Sequence, residues 1–222
     1  MATTALPQVT PRVEYPESDG EPMAETDLHR DEMAALIATL KDRYRDAPNV
    51  YVAGNLFVYY EEGDPDARFA PDVFVVFGAP RRQRRIYRLW EEGHAPAVVI
   101  EVTSRKTWLE DAGNKKILCA RLGVAEYFTY DPAGEYLHPP LQGFRLAGGD
   151  YQSISLDASG ALSSEVLKLK LQLEGGRLRL IDPASGERLL RPEEAMQARR
   201  EAQAEIQRLR AELDRLRKDR DA

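Results

Sequence analysis

Two nearly continuous apolar runs constrain the fold of this chain more than any other feature. Residues 72–77 read Asp-Val-Phe-Val-Val-Phe, and residues 97–103 read Ala-Val-Val-Ile-Glu-Val-Thr. Runs of this kind, rich in β-branched side chains, are typical of central strands that are covered on both faces. They are much shorter than the roughly 20 apolar residues that cross a bilayer, so no membrane span is expected.

The segments around these runs predict an α/β (α+β) fold in which helices flank a mixed central sheet. A first helix can be capped by Thr26 or Asp27 and ends before Pro48. The other predicted elements are a strand or bent strand pair over 50–61, a short helix within 81–92, a helix over 107–122 and a strand over 126–130. Short antiparallel strands are expected over 135–137, 143–146, 151–154, 167–173 and 178–180, with a hairpin at Gly175-Gly176.

The chain divides into three regions by composition. Its 222 residues are enough for one well-buried domain and an appendage. Residues 1–25 contain four prolines with acidic and small polar residues, which predicts a weakly ordered lead-in. Residues 26–190 are predicted to form the domain, and residues 191–222 a long helix that lacks glycine and proline after Pro192.

The terminal helix carries an apolar stripe that requires a partner. A stripe of alternating three- and four-residue spacing has to be buried against another helix or against the domain itself. We expect it to form a coiled coil in a homodimer, while packing on the domain stays open. The stripe consists of Ala195, Ala202, Ile206, Leu209, Leu213 and Leu216, and Arg199 interrupts it.

Cysteine content and the N-terminus predict a cytoplasmic protein. Residues 1–16 lack the basic start and apolar stretch of a secretory signal. The single cysteine, Cys119, excludes an internal disulfide and a cysteine-rich zinc site. The three histidines also show no metal-ligand spacing, so zinc chemistry is not expected.

Charge distribution limits how the chain can contact nucleic acid. A net charge of −6 argues against binding through the overall electrostatic field, so any contact has to be local. The one concentrated basic stretch could bind phosphate through guanidinium groups, or it could be a solvated loop between two strands. It contains Arg81, Arg82, Arg84, Arg85 and Arg88, of which the first four are the candidate phosphate contacts. No helix-turn-helix or zinc finger is visible, so sequence-specific recognition is not predicted.

Asp72 and Glu101 lie within the two apolar strands, where an ionised and unpaired carboxylate costs several kcal/mol. A Mg²⁺ ion removes this difficulty, because it prefers oxygen ligands and often takes one or two protein carboxylates. Its other positions stay open to water and substrate phosphate. The two acids therefore predict a magnesium site, although pairing with a surface arginine would also satisfy either one.

Four segments in close succession carry a resemblance to a known family. They are Ala-Pro-Asp-Val-Phe-Val-Val, Pro-Ala-Val-Val-Ile-Glu-Val-Thr-Ser, a helix with Asp111 and Lys115, and Gly-Val-Ala-Glu-Tyr-Phe-Thr-Tyr-Asp-Pro. From about residue 30 to 131 the chain resembles the Uma-type family of restriction-endonuclease-like proteins. That family is a bacterial branch of the PD-(D/E)XK nuclease superfamily. The resemblance implies a restriction-endonuclease-like core.

The resemblance also implies roles for single residues. Asp72 matches the acid of the family's Pro-Asp pair, Glu101 matches the second acid, and Thr103 stands where the superfamily has its lysine. In the Uma-type pattern this lysine lies on the next helix, four residues after an aspartate, which corresponds to Lys115 after Asp111.

Further residues are implied less directly. Asp111 would position Lys115 through an ion pair at helical spacing, and the adjacent Lys116 stays open as an alternative. The backbone carbonyl of Val102 would be an additional metal ligand. Glu32 on the first helix resembles an accessory acid of the superfamily, or it is a solvated helix residue.

The expected activity is a metal-dependent endonuclease that hydrolyses phosphodiester bonds, most simply in DNA. The cofactor would be Mg²⁺, with Mn²⁺ as a possible substitute, and Asp72, Glu101 and Lys115 would be catalytic. The alternative from a different class is a binding or assembly module with this fold, whose role lies in the coiled coil and which cleaves little or nothing.

Overall fold

A computed structural model describes residues 13–18, 20 and 26–220 of the chain. Its elements, in chain order, are α1 (Asp27–Arg43), β1 (Val50–Ala53), β2 (Val58–Tyr59), β3 (Arg68–Phe69), β4 (Val73–Phe77), β5 (Tyr87–Arg88), α2 (Leu89–Glu92), β6 (Val98–Val102), α3 (Trp108–Ala112), α4 (Asn114–Arg121), β7 (Glu126–Tyr130), β8 (Leu141–Ala147), β9 (Asp150–Ser153), β10 (Ala161–Ser164), β11 (Leu169–Glu174), β12 (Arg177–Ile181) and α5 (Pro192–Arg220).

A mixed six-stranded sheet forms the centre of the domain, as the sequence predicts. Its strand order is β1-β4-β6-β7-β8-β9. Only β6 and β7 pair in parallel, and the other neighbours are antiparallel. A parallel pair needs a crossover connection, which α3 and α4 supply. The prediction of a mixed sheet flanked by helices, with additional antiparallel strands and a C-terminal helix, is therefore confirmed.

Both faces of the central strands are covered, which explains their uninterrupted apolar character. On one face Val73, Ile100 and Phe128 pack into a core with α1 and the separate sheet of β10, β11 and β12. On the other face Phe74 and Val99 pack with α4 and the small sheet of β2, β3 and β5. Strand β6 and the first four residues of β4 are therefore buried.

Three local predictions differ from the structure. The helix expected over 107–122 is divided at Gly113, whose φ of −115° and ψ of −99° lie outside the helical region. Residues 135–137 form no strand, because Asp131 accepts backbone hydrogen bonds from four following residues and holds the segment in a turn. Strand β10 was not expected, since its sequence Ala-Leu-Ser-Ser has little β character.

Part of the N-terminal lead-in lies against the domain. Tyr15 packs edge-on to Tyr59 with ring centroids 5.0 Å apart, and its hydroxyl accepts a hydrogen bond from the Gly63 amide at 2.7 Å. The Tyr59 hydroxyl in turn donates to the Pro16 carbonyl. The prediction of weak order also covers residues 1–12, 19 and 21–25, which lie outside the described residues.

Helix α5 follows the domain at Arg191 and is anchored at its first turn. Arg179 of β12 donates two hydrogen bonds to the Glu194 carboxylate, at 2.5 and 2.9 Å. Beyond this turn the residues whose side chains are described are exposed. Within the described residues, no helix has the length and apolar character needed to span a membrane.

Candidate active site

The pairing of β4 with β6 brings the two predicted acids together. Val73 lies opposite Ile100, so that Asp72 and Glu101 are the next pair along the antiparallel ladder. The Asp72 amide donates a hydrogen bond to Glu101 Oε2 at 3.2 Å. Asp72 is nearly buried and Glu101 is fully buried. The sheet register therefore fixes the distance between two carboxylates that are 29 positions apart in sequence.

Close packing between two backbone segments holds Asp72, the residue immediately before β4. A Cβ atom added at Gly54 would lie 1.8 Å from the Asp72 carbonyl oxygen. The next amide, of Asn55, donates a hydrogen bond to the Pro71 carbonyl at 2.8 Å. Glycine is thus required at position 54 by the approach of two backbone segments, and that approach positions Asp72.

Two groups hold the Asp72 carboxylate. Its Oδ2 atom accepts a hydrogen bond from the Val102 amide at 2.8 Å and lies 3.3 Å from Nε2 of His29 on α1. His29 is buried and was not among the predicted site residues. It is 43 positions from Asp72, and the sequence contains no motif that joins them; only the packing of α1 against the sheet brings them together.

Lys115, and not Lys116, faces the acids. Lys115 Nζ lies 3.2 Å from Glu101 Oε2 and 3.2 Å from Asp111 Oδ1. Lys116 Nζ lies 3.5 Å above the ring of Phe144, a cation–π contact on another part of the surface. The predicted ion pair between Asp111 and Lys115 is present even though Gly113 interrupts the helix between them.

The charges of this cluster are unbalanced. Burial raises the pKa of the Glu101 carboxyl well above its ordinary value, against the opposing effect of Lys115. Burial likewise raises the pKa of the Asp111 carboxyl. Burial alone lowers the pKa of the Lys115 ammonium, but Glu101, Asp111 and Asp72 together raise it above its ordinary value. Burial is thus the main cause of the raised carboxyl pKa values, whereas the three acids around Lys115 raise the pKa of its ammonium group. With three acids and one ammonium group, the cluster favours a further cation or a proton.

Several buried oxygens near Glu101 have no partner. Glu101 Oε1, Thr103 Oγ1 and Thr129 Oγ1 make no hydrogen bond to any described residue. Thr103 is two positions beyond Glu101 on the same strand face, and Thr129 is the residue paired with Glu101 on β7. Buried polar atoms are rarely left unsatisfied, so this side of the sheet suits water or a cation.

The described residues offer few ligands to a metal ion. Within the described residues, no group of three or more His, Cys, Asp or Glu side chains is arranged to hold a metal ion. Asp72 and Glu101 provide two carboxylates, and Mg²⁺ commonly keeps water in its remaining positions.

Glu32 is shielded from solvent, and its carboxylate has hydrogen-bond partners. It is buried on α1, where Arg191 donates to its two carboxylate oxygens at 2.7 and 3.0 Å and the Tyr130 hydroxyl donates at 3.2 Å. The reading of Glu32 as a solvated helix residue is therefore wrong. The structure pairs it with Arg191 instead of joining it to Asp72 and Glu101.

The arginines predicted to contact nucleic acid lie far from the carboxylates. They follow the C-terminal end of β4, whereas Asp72 precedes its N-terminal end, so a five-residue strand of about 17 Å separates the two regions. A groove of about 760 Å³ is lined by 81–85 and by the whole length of β1.

These arginines also have partners within the protein. Arg84 is almost fully buried, donates twice to Glu92 at 2.7 Å and lies over the Tyr51 ring, so its predicted role as a phosphate contact is not supported. Arg82 donates to Glu92, Arg85 pairs with Glu17, and Arg81 donates to the Arg45 carbonyl.

The structure is thus an α+β protein with two acids and a lysine grouped where two inner strands of its central sheet end. A family model described as "Uma2: Putative restriction endonuclease" matches residues 4–178. This match covers well over half of the chain, and the protein belongs to the Uma2 family. The resemblance found in the sequence is thereby confirmed. None of the curated proteins compared with the chain matches it.

Among solved structures, the chain is similar to a putative nuclease belonging to DUF820 from Anabaena variabilis ATCC 29413. The TM-score is 0.49 and the identity 14%, over 68% of this chain and 81% of that one.

Proposed function

We propose that the protein is a metal-dependent endonuclease that hydrolyses phosphodiester bonds and that its substrate is DNA. The observation that carries this proposal is the grouping of Asp72, Glu101 and Lys115 at the edge of the central sheet, in a member of a family described as putative restriction endonucleases. A buried pair of acids with one lysine is a costly arrangement for stability alone. It is useful where a cation and a phosphate have to be bound side by side.

Asp72 and Glu101 would hold the ion, with Mg²⁺ as the natural cofactor and Mn²⁺ as a substitute. When bound, the metal lowers the pKa of a coordinated water and polarises the scissile phosphate. The backbone carbonyl of Val102 is proposed as an additional ligand. The Val102 amide already donates to Asp72 Oδ2, so this residue is fixed beside the first acid.

Lys115 would act on the phosphate and on the attacking water. The acids around it keep it protonated, since they raise its pKa. A fixed ammonium group can stabilise the negative charge that develops on the phosphate and can orient the water. Asp111 holds Lys115 from the neighbouring helical turn and would be a positioning residue, as would His29 beside Asp72.

The proposed assembly is a homodimer joined through α5, in which two sites could cut the two strands of a duplex. The exposed apolar stripe of α5 supports this proposal, because such a stripe is unfavourable in water.

Metal-dependent cleavage tests the function. Purified full-length protein would be incubated with supercoiled DNA, single-stranded DNA and RNA, each with Mg²⁺, Mn²⁺ or a chelator. We expect DNA cleavage that requires the metal and disappears in Asp72→Asn and Glu101→Gln. Glu62→Gln, a change of the same kind at an exposed acid, is the matched control and should retain activity.

Calorimetric titration with Mn²⁺, together with the cleavage assay, distinguishes a metal-dependent endonuclease from an assembly module with the same fold. Cleavage that persists in Asp72→Asn would place the activity elsewhere or in a contaminant. If no nucleic acid is cut and Asp72→Asn leaves Mn²⁺ binding unchanged, the enzyme proposal fails and an assembly module with this fold is favoured.

A further inference from the structure

The apolar stripe of α5 is exposed along the second half of the helix. Ile206, Leu209, Leu213 and Leu216 are between 46% and 60% exposed, although the helix is well formed. Their spacings of three, four and three residues place them on one face. Among the described residues, nothing covers this face, so the chain presents a long unpartnered helix surface.

The spacing assigns each residue a heptad position. With Ile206 and Leu213 at a, residues Leu209 and Leu216 fall at d. Extended backward, the pattern puts Arg199 at a and Ala202 at d. β-branched isoleucine at a with leucine at d favours two strands over three or four, and a charged residue at a favours the same small number because its head can reach water.

Charges beside the stripe decide between the two possible orientations. Glu205 and Glu212 occupy successive g positions, while Arg210 and Arg217 occupy successive e positions. In a parallel, in-register pair, g of one helix faces e of the following heptad on the other, which brings glutamate to arginine at every contact. In an antiparallel pair, g faces g and e faces e, so every contact joins like charges.

We infer that α5 binds α5 of a second copy of this chain as a parallel, in-register, two-stranded coiled coil. Glu205 would face Arg210 of the partner subunit, and Glu212 would face Arg217 of the partner subunit, with the reciprocal pairs on the other side. This inference concerns the assembly and stands independently of the proposed nuclease chemistry.

The point at which α5 leaves the domain determines where a parallel pair of helices would place the two domains. Arg191 is buried against Glu32, and Glu194 is bound by Arg179, so α5 leaves the domain from a fixed place. A helix of 29 residues is about 43 Å long. A parallel pair therefore puts both domains at the same end of this rod, where both sites can meet one duplex, whereas an antiparallel pair would hold them at opposite ends.

Sedimentation of the full chain tests the contact. We expect a concentration-dependent monomer–dimer equilibrium, whose dissociation constant rises at least ~100-fold in Leu209→Asp because each subunit buries a charge. Gln207→Asp introduces the same side chain two positions earlier on the outer face and should leave the equilibrium nearly unchanged. Both positions are exposed in the single chain, so the domain should fold in either variant.

Charge exchange tests the orientation. Glu205→Arg with Glu212→Arg should weaken a parallel dimer by about 10-fold or more, since four attractive contacts become repulsive. Adding Arg210→Glu and Arg217→Glu to the same chain should restore it. In an antiparallel dimer neither set of substitutions would change the number of repulsive contacts, because like charges would face each other in every variant.

A cross-link gives a direct readout. A Gly-Gly-Cys extension after Ala222 should form an intermolecular disulfide under mild oxidation only if the helix ends lie together. Unextended protein, whose Cys119 is buried, is the control. A monomer at every concentration, an unchanged equilibrium in Leu209→Asp, or absence of the cross-link in a proven dimer would each overturn the inference.

Discussion

The Arg191 guanidinium binds both carboxylate oxygens of Glu32, at 2.7 and 3.0 Å, and both side chains are almost completely buried. The two residues are 159 positions apart and join α1 to the segment that precedes α5. Burial and the neighbouring Glu32 act in opposite directions on the Arg191 group, and its pKa is raised overall. Arg191 therefore remains charged, and the importance of the pair lies in what happens when one member is removed.

Arg191→Ala is expected to lower the free energy of unfolding by about 3–5 kcal/mol, because it leaves a buried and unpaired carboxylate. Urea denaturation followed by circular dichroism measures this change. Arg177→Ala removes an arginine from an exposed pair with Glu193 and should cost less than about 1 kcal/mol. Equal losses in both variants would contradict a structural role for the buried pair.

Lys115→Met and Lys116→Met should separate the two adjacent lysines. We expect Lys115→Met to reduce the rate of DNA cleavage by about 10²–10³-fold, since it removes a fixed positive group from the proposed phosphate site. Lys116→Met loses a contact with Phe144 worth about 0.5–1 kcal/mol and should cleave at nearly the normal rate. Initial rates are compared at a temperature where both variants are folded, as thermal unfolding verifies.

The reverse result would reassign the catalytic lysine. A large loss in Lys116→Met together with normal activity in Lys115→Met would mean that helix α4 turns in the working enzyme. Loss in both variants with lowered unfolding temperatures would point to stability instead of chemistry.

The sequence predicts the central strands and their acids for a clear physical reason. A strand buried on both faces has to be apolar throughout, so Asp72 and Glu101 stand out in 72–77 and 97–103. Lys115 could be placed because Asp111 precedes it at helical spacing, within a pattern that resembles the family. These features are local in sequence.

Contacts that depend on packing between distant segments could not be predicted in this way. His29 meets Asp72 across 43 positions, and no local pattern specifies the pair. Arg84 shows a second kind of limit. An arginine cluster suggests phosphate binding, yet the Arg84 side chain is buried and its guanidinium is paired with Glu92, eight residues away. A basic cluster in a sequence does not reveal which of its charges are already paired.

Cys119 should be unreactive in the folded protein. Its thiol is fully buried, and burial raises its pKa far above the ordinary value, with Glu101 acting in the same direction. Because the thiolate is the reactive form, we expect almost no reaction with an aromatic disulfide reagent in native buffer. Unfolding in urea should release one thiol per chain. A fast reaction before unfolding would mean that α4 opens readily from the sheet.

Gly54→Ala is expected to damage both stability and cleavage, because the new methyl group would lie 1.8 Å from the Asp72 carbonyl oxygen. Backbone atoms cannot move aside as a flexible side chain can, so the segment that carries Asp72 has to shift. We expect a loss of about 3 kcal/mol or more in the free energy of unfolding, similar to severe overpacking in a core.

Gly63→Ala provides the matched comparison. Gly63 has a φ of +91° and no atom within 4 Å of an added Cβ, so alanine there carries only backbone strain of about 1 kcal/mol. Its cleavage rate should be unchanged, because the turn at Gly63 lies away from the acids. If Gly54→Ala proves as stable and as active as Gly63→Ala, the close approach of the two backbone segments does not position Asp72, and the register of β4 alone has to hold this acid beside Glu101.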